Sequence, residues 1–174
     1  MERIKSEEIY RGRVINLRKD TLRLPDGKEI QRDVVEHGGA VVIVAEEGGD
    51  LLFVRQYRYA AGESLLELVA GTREPGEDPA VTAGRELQEE AGYKAGKITK
   101  IGEFYSAPGF CSELLHLYLA EDLTPSRLPG DEDEEIEVER YSLAEAIRMA
   151  LAGEMRDAKT LAGVLLYAQH RAAR

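Results

Sequence analysis

The chain has 174 residues, 43% hydrophobic and 32% charged, which suits one folded domain with a sizeable core and a small appendage rather than a disordered chain. A formal net charge of −10 disfavours non-specific nucleic-acid binding, which needs Lys and Arg to neutralise phosphates. No apolar run approaches the roughly 18 residues of a membrane span. The opening MERIKSEEIYRGR carries no apolar signal core, and Cys111 is the only cysteine, so no internal disulfide can form and a cytoplasmic setting is expected.

In chain order, residues 1–38 read as antiparallel strands, with VINLRKDTLRL and EIQRDVVEH on either side of the turn-forming PDGK. Two or three strands alone are marginal in water, so this segment must pack on the rest of the chain or on a second subunit. AVVIVAEEGGDLLFVRQYR is two apolar runs about a Glu-Glu-Gly-Gly-Asp turn, a hairpin. SLLELVAG is a short strand ending at Gly71, followed by a loop with Pro75 and Gly76. Asp78 then Pro79 opens a helix, with Asp as cap and Pro at the first helical position, and Gly92 closes it. Val81, Gly84, Leu87 and Ala91 are expected on its close-packing side. Beyond it come a strand in ELLHLYLAED, a Pro-, Gly- and acid-rich loop over 124–135, a strand in EIEVERYSL, a helix capped by Ser142, and a C-terminal amphipathic helix with basic residues at its end. Strands interleaved with helices, with hairpins among them, imply a mixed sheet covered by helices.

The helix between Pro79 and Gly92 holds the chemistry. Glu86, Glu89 and Glu90 fall on an arc roughly 100° wide, where like charges repel by about 0.2–0.5 kcal/mol per pair. No Lys follows four residues later to balance them. Arg85 can bridge along the helix to Glu89 or reach back to Glu77. Charge runs are usually solvated faces. A cluster of hard carboxylate oxygens is also what Mg²⁺ or Mn²⁺ requires, with water and phosphate oxygens completing the shell. His37, His116 and His170 are scattered and no HExxH, cysteine cluster or Walker A loop is present, so zinc and P-loop chemistry are not expected.

The stretch Gly71 to Tyr93, GTREPGEDPAVTAGRELQEEAGY, resembles the Nudix box, GX5EX7REUXEEXGU, at every fixed position. The resemblance implies an α/β (α+β) fold of the Nudix α/β/α sandwich type with a mixed sheet, plus a small N-terminal antiparallel segment. The expected units are 1–38, exchanged across a homodimer, and 39–174, the hydrolase domain. It implies Glu86, Glu89 and Glu90 as metal ligands with the Ala70 carbonyl, Arg85 and Glu77 as the ion pair fixing the loop, and Mg²⁺ or Mn²⁺ as cofactor, two to three ions per site.

VRQYR (Val54 to Arg58), APGF (Ala107 to Phe110) and the N-terminal strands are similar to ADP-ribose pyrophosphatases, in which a Pro lies about fifteen residues beyond the box, as Pro108 does here. Ala107 stands where that subfamily usually has Ser, and Val69-Ala70 where Pro-Ala is common. Arg55, Arg58, Pro108, Gly109, Phe110 and Glu113 are the substrate contacts the resemblance implies. In the acidic loop, Glu134 is expected as a further ligand and Glu132 as general base. The register leaves Glu132, Asp133, Glu134 and Glu135 all open. The implied reaction is Mg²⁺-dependent hydrolysis of the pyrophosphate bond of ADP-ribose to AMP and ribose 5-phosphate. The alternatives are another nucleoside diphosphate sugar, such as GDP-mannose, or a non-catalytic ligand sensor. Neither nucleic acid nor membrane is an expected partner.

Overall fold

The computed structural model describes residues 1–130 and 135–173, and among these two sheets form. β1 (Glu2–Arg11), β2 (Ile15–Arg23) and β3 (Glu29–His37) make a three-stranded antiparallel sheet. The PDGK turn joins β2 to β3 as expected: Leu24 N–H donates to the Lys28 carbonyl at 2.8 Å and Gly27 N–H to the Leu24 carbonyl at 2.9 Å. Every residue of β1 is exposed. The sheet is tied to the rest of the chain through β3, where Val35 N–H donates to the Phe110 carbonyl at 2.8 Å and Ser112 N–H to the Val35 carbonyl at 2.9 Å.

The larger sheet is built on β4 (Ala40–Glu47) and β5 (Asp50–Arg58). Their hairpin is paired only near its turn, from Ala45↔Leu52 to Glu47↔Asp50, and then splays. The gap is filled by the next piece of chain. β6 (Glu63–Glu67) pairs with β5 and β7 (Val69–Thr72) pairs with β4. The segment expected as one strand is therefore two, changing partner at Leu68, whose side chain is fully buried. β8 (Tyr93–Tyr105) and β9 (Leu114–Pro125) follow, and β10 (Ile136–Ser142) returns to the edge of β5. The order is β10-β5-β4-β9-β8, with β4 and β9 parallel. β8 has no counterpart in the sequence reading. It is an edge strand whose lysines and glycines (Lys94, Gly96, Lys97, Lys100, Gly102) break the apolar alternation that marks a strand.

Both faces of this sheet are covered, which is why β4 is apolar from Ala40 to Ala45 and β5 from Leu51 to Val54. Val41, Ile43, Leu52, Val54 and Val69 face α1 (Pro79–Glu86) and the turn that continues it, meeting Ala83 and Leu87. Val42, Val44, Leu51, Phe53 and Leu68 face the other way, where α2 (Leu143–Leu151) and α3 (Ala158–Ala172) supply Ala146, Met149, Val164 and Tyr167. Each fully buried Val, Leu or Phe contributes about 1.5–3 kcal/mol, and the two layers share that stabilisation through one sheet.

The acidic helix starts as expected, with the Asp78 carboxylate accepting from Ala80 N–H at 2.8 Å and Pro79 in the first turn. It is α-helical only to Glu86. Leu87–Ala91 form a π-helical turn, and Gly92, at φ 78°, ends it in the left-handed region that glycine adopts without strain. The expected packing side needs one correction: Val81 is 61% exposed, whereas Ala83 is fully buried. The helix is rotated to bring Glu86 and Glu90 against β7, and that turns Val81 outward.

Candidate active site

Gly71 lies where β7 passes the acidic helix, and the Glu86 carboxylate rests directly on it. A Cβ at this position would stand 1.8 Å from the carboxyl carbon of Glu86, so any side chain here would displace that carboxylate. One residue earlier, Ala70 N–H donates to Glu90 Oε2 at 3.2 Å. Glu86 and Glu90 are both buried. Two carboxylates are thus drawn out of water against the backbone of a central strand.

Arg85 supplies the counter-charge. One guanidinium nitrogen, Nη1, sits 2.8 Å from Glu86 Oε1 and 2.8 Å from Glu89 Oε2. Nε and Nη2 reach back to Glu77 at 3.4 and 3.3 Å, and Nη2 also donates to the Thr72 carbonyl at 3.3 Å. Glu77 accepts further from Thr82 Oγ1 at 2.8 Å and from Glu74 N–H at 3.2 Å. Burial alone would raise the Glu77 pKa, but the bonds from Arg85, Thr82 and Glu74 outweigh it and hold the carboxyl below its ordinary value. Burial would likewise lower the Arg85 pKa, and Glu77, Glu86 and Glu89 together raise it. Among the described residues no three acidic, histidine or cysteine side chains converge into a metal cage as they stand. Arg85 spans Glu86 and Glu89, while Glu90 turns to the Ala70 amide. The donor set nevertheless suits a hard divalent cation: carboxylate oxygens, a backbone carbonyl at Ala70, and a surface that Gly71 keeps bare.

These groups open on a cavity of about 1210 Å³ that runs across the end of the sheet, from Glu86, Glu89 and Glu90 on one side to Asp157, Ala158 and Lys159 of the α3 region on the other.

The chain matches the NUDIX domain over residues 35–164, and the nucleoside diphosphate sugar hydrolase N-terminal domain over residues 1–35. The chain belongs to the Nudix family. It is 42% identical over 160 residues to an ADP-ribose pyrophosphatase of Bacillus subtilis, covering 90% of this chain and 86% of that one. It is 41% identical over 168 residues to an ADP-ribose pyrophosphatase of Mycobacterium tuberculosis, covering 94% of this chain and 81% of that one. A solved structure described as an ADP compounds hydrolase superposes with a TM-score of 0.86 at 25% identity, covering 97% of this chain and 94% of its own. Nudix hydrolases generally require divalent metal ions, and the donor set at Gly71 suits one.

Within this Nudix site the expected residues are distributed unevenly. Ala70, Glu86, Glu89, Glu90, Arg85, Arg58 and Glu113 line the cavity. Glu77 stands behind Arg85. Arg55 is turned to Glu139, with Nε at 2.5 Å and Nη2 at 3.3 Å, and is not among the lining residues. Pro108, Gly109 and Phe110 are not among them either. They form a turn, closed by Phe110 N–H to the Ala107 carbonyl at 3.1 Å, that docks on β3. Glu132 and Glu134 lie outside the described residues. Sequence reasoning missed Lys159 and Asp157 at the start of α3, Arg127 beside Gly92, and Arg13 from the β1–β2 turn, all lining the same cavity. The pocket position of Asp157 and Lys159 had no local signal. Asp157 looks like a helix cap and nothing more.

Proposed function

We propose that the chain is a cytoplasmic, homodimeric Nudix hydrolase that cleaves the pyrophosphate bond of ADP-ribose to AMP and ribose 5-phosphate with Mg²⁺, or Mn²⁺ in its place, two to three ions per site. The seating of Glu86 on Gly71, with Glu89 and Glu90 on the same cavity wall, carries this reading. The chemistry expected of the bound ions is neutralisation of the diphosphate and acidification of a water. The protein's own part is to present three carboxylates and the Ala70 carbonyl on one cavity wall, where an ion would draw them together, with Glu77 fixing Arg85 and hence the loop. Arg58 and Glu113 take up the substrate further along the cavity, joined by Arg55 and the Pro108–Phe110 turn in the dimer. A carboxylate of the acidic segment, Glu132 with Glu134 as a further ligand, accepts the proton of the attacking water.

ADP-ribose is favoured because the likeness to the pyrophosphatases extends through the N-terminal strands as well as the box. The homodimer is supported by the three-stranded sheet, which exposes Ile4, Ile9, Tyr10, Val14 and Ile15. The test is a panel of ADP-ribose, GDP-mannose, NADH, ADP-glucose and diadenosine polyphosphates, scored by released mononucleotide. ADP-ribose should show the highest kcat/KM, EDTA should abolish turnover, and Mg²⁺ or Mn²⁺ should restore it. A higher value for GDP-mannose would overturn the substrate but leave the hydrolase. Full turnover in EDTA would overturn both.

A further inference from the structure

Opposite the acidic helix, the cavity wall contains a second charged cluster, of which the hydrolytic reading uses only Arg58. Glu67, the last residue of β6, is 1% exposed. Its two oxygens accept from Arg58 Nε and Nη2, each at 2.7 Å, and one of them also meets the Lys159 ammonium. Lys159 Nζ lies 3.0 Å from Asp157 Oδ2 as well. Asp157 caps α3, accepting from Thr160 N–H at 2.9 Å and Thr160 Oγ1 at 2.6 Å, and that hydroxyl in turn accepts from Leu68 N–H at 2.8 Å. The strand break at Leu68 and the first turn of α3 are thereby fastened together, with Glu67 and Lys159 side by side.

Such a cluster is a poor device for stability alone. Removing charges from water costs several kcal/mol per ion, and well-packed apolar residues are often as good or better. What it delivers is position. Two acids, Glu67 and Asp157, cancel two cations, Arg58 and Lys159, so the foursome carries no net charge. An ammonium has three N–H donors. One is donated to Glu67, Asp157 forms an ion pair with the same ammonium, and Lys159 lines the cavity.

We propose that Lys159 is a substrate-binding residue: an N–H not donated to Glu67 donates to an acceptor oxygen on the part of the nucleoside diphosphate sugar remote from the acidic helix, and Glu67 is the positioning residue that aims it. This rests on the reading of the cavity as a nucleoside diphosphate sugar site. Lys159 lies across the sheet from the carboxylates, so its contact is the same in ground state and transition state. It therefore contributes to KM rather than to kcat.

The experiment compares Lys159→Met, Lys159→Arg and Glu67→Gln with the wild type in two measurements: KM and kcat on the best substrate of the panel, and calorimetric binding of AMP and of ribose 5-phosphate with Mg²⁺ present. A lost hydrogen bond to a charged donor should raise KM about 10- to 100-fold for Lys159→Met, with kcat within about threefold of wild type. One of the two products should bind more weakly by the same factor and the other unchanged. Lys159→Arg should recover part of the loss, and Glu67→Gln should shift KM the same way as Lys159→Met. A KM and both product affinities that stay at wild-type values in Lys159→Met overturn the proposal and leave Lys159 a structural ion-pair partner. If Lys159→Met does not fold, wild-type product affinities in Lys159→Arg and Glu67→Gln overturn it equally. Product binding needs no turnover, so it separates failure of this proposal from failure of the hydrolase reading, which the wild-type panel decides.

Discussion

Arg85 explains how Glu86, Glu89 and Glu90 share one face of a helix. Its guanidinium lies between Glu86 and Glu89, and Glu77 anchors it from behind. The repulsion inferred from spacing is thus met in part by the protein's own cation, and a bound metal ion would neutralise the excess carboxylate charge that one guanidinium leaves. Glu86→Gln or Glu90→Gln should reduce kcat by orders of magnitude while the circular dichroism spectrum and urea midpoint stay near wild type. Near-normal turnover in either variant would remove that residue from the metal site and overturn the ligand set as assigned. Gly71→Ala is the sharper steric probe. A methyl group within 1.8 Å of the Glu86 carboxyl carbon must push that side chain aside. The expected result is a loss of turnover comparable to Glu86→Gln together with about 1–3 kcal/mol of destabilisation, read from the same urea titration. These residues were legible in the sequence because one short segment contains them all and their spacing is the signal. Lys159, Asp157, Arg127 and Arg13 were not, because each joins the cavity only through the tertiary arrangement of a distant element.

At the scale of elements, the helix limits, the first hairpin, the PDGK turn and the capped C-terminal helices follow from local chemistry. The departures have local causes too. A five-residue π-helical turn is too short for its wider period to register in a pattern of apolar residues, and Leu68 hides a change of partner inside a continuous apolar run. β6 ends on Glu67, whose carboxyl shows the balance at work. Burial pushes its pKa up, but Arg58 and Lys159 outweigh that and hold it below the ordinary value. A depressed carboxyl stabilises the fold fully above the unfolded-state pKa, about 4.3, and the contribution is lost as pH falls through the folded one. The wild-type urea midpoint should therefore fall on acidification below about pH 4.3, and Glu67→Gln should start lower at neutral pH and fall less steeply. Parallel slopes for the two proteins would show that the ion cluster does not contribute this linkage.

For the molecule as a whole, the small sheet is the part that the chain itself leaves uncovered. Equilibrium sedimentation should give about twice the 19.3 kDa chain mass, and Ile9→Lys, placed on the exposed face of β1, should shift the population toward monomer. A wild-type mass of one chain at micromolar concentration would refute the homodimer. The overall mixed-sheet architecture was readable from the alternation of strand and helix patterns. The docking of the N-terminal sheet was not, because it depends on two backbone hydrogen bonds between β3 and the Phe110 turn that no side-chain pattern announces.

The splayed hairpin has a consequence for how the centre is held. Because β7 is wedged into the opening and zipped to β4 over four residues, Val69 to Thr72, the height of the Ala70 carbonyl above the sheet is inherited from an interior strand and not from the loop that follows. The Ala70 carbonyl is thus held independently of residues 73–76, whose part is to carry the chain to Glu77 and to supply the Glu74 N–H that Glu77 accepts. The Gly48–Gly49 turn closes the paired end of the hairpin, so the opening that admits the wedge begins only beyond Ala45 and Leu52.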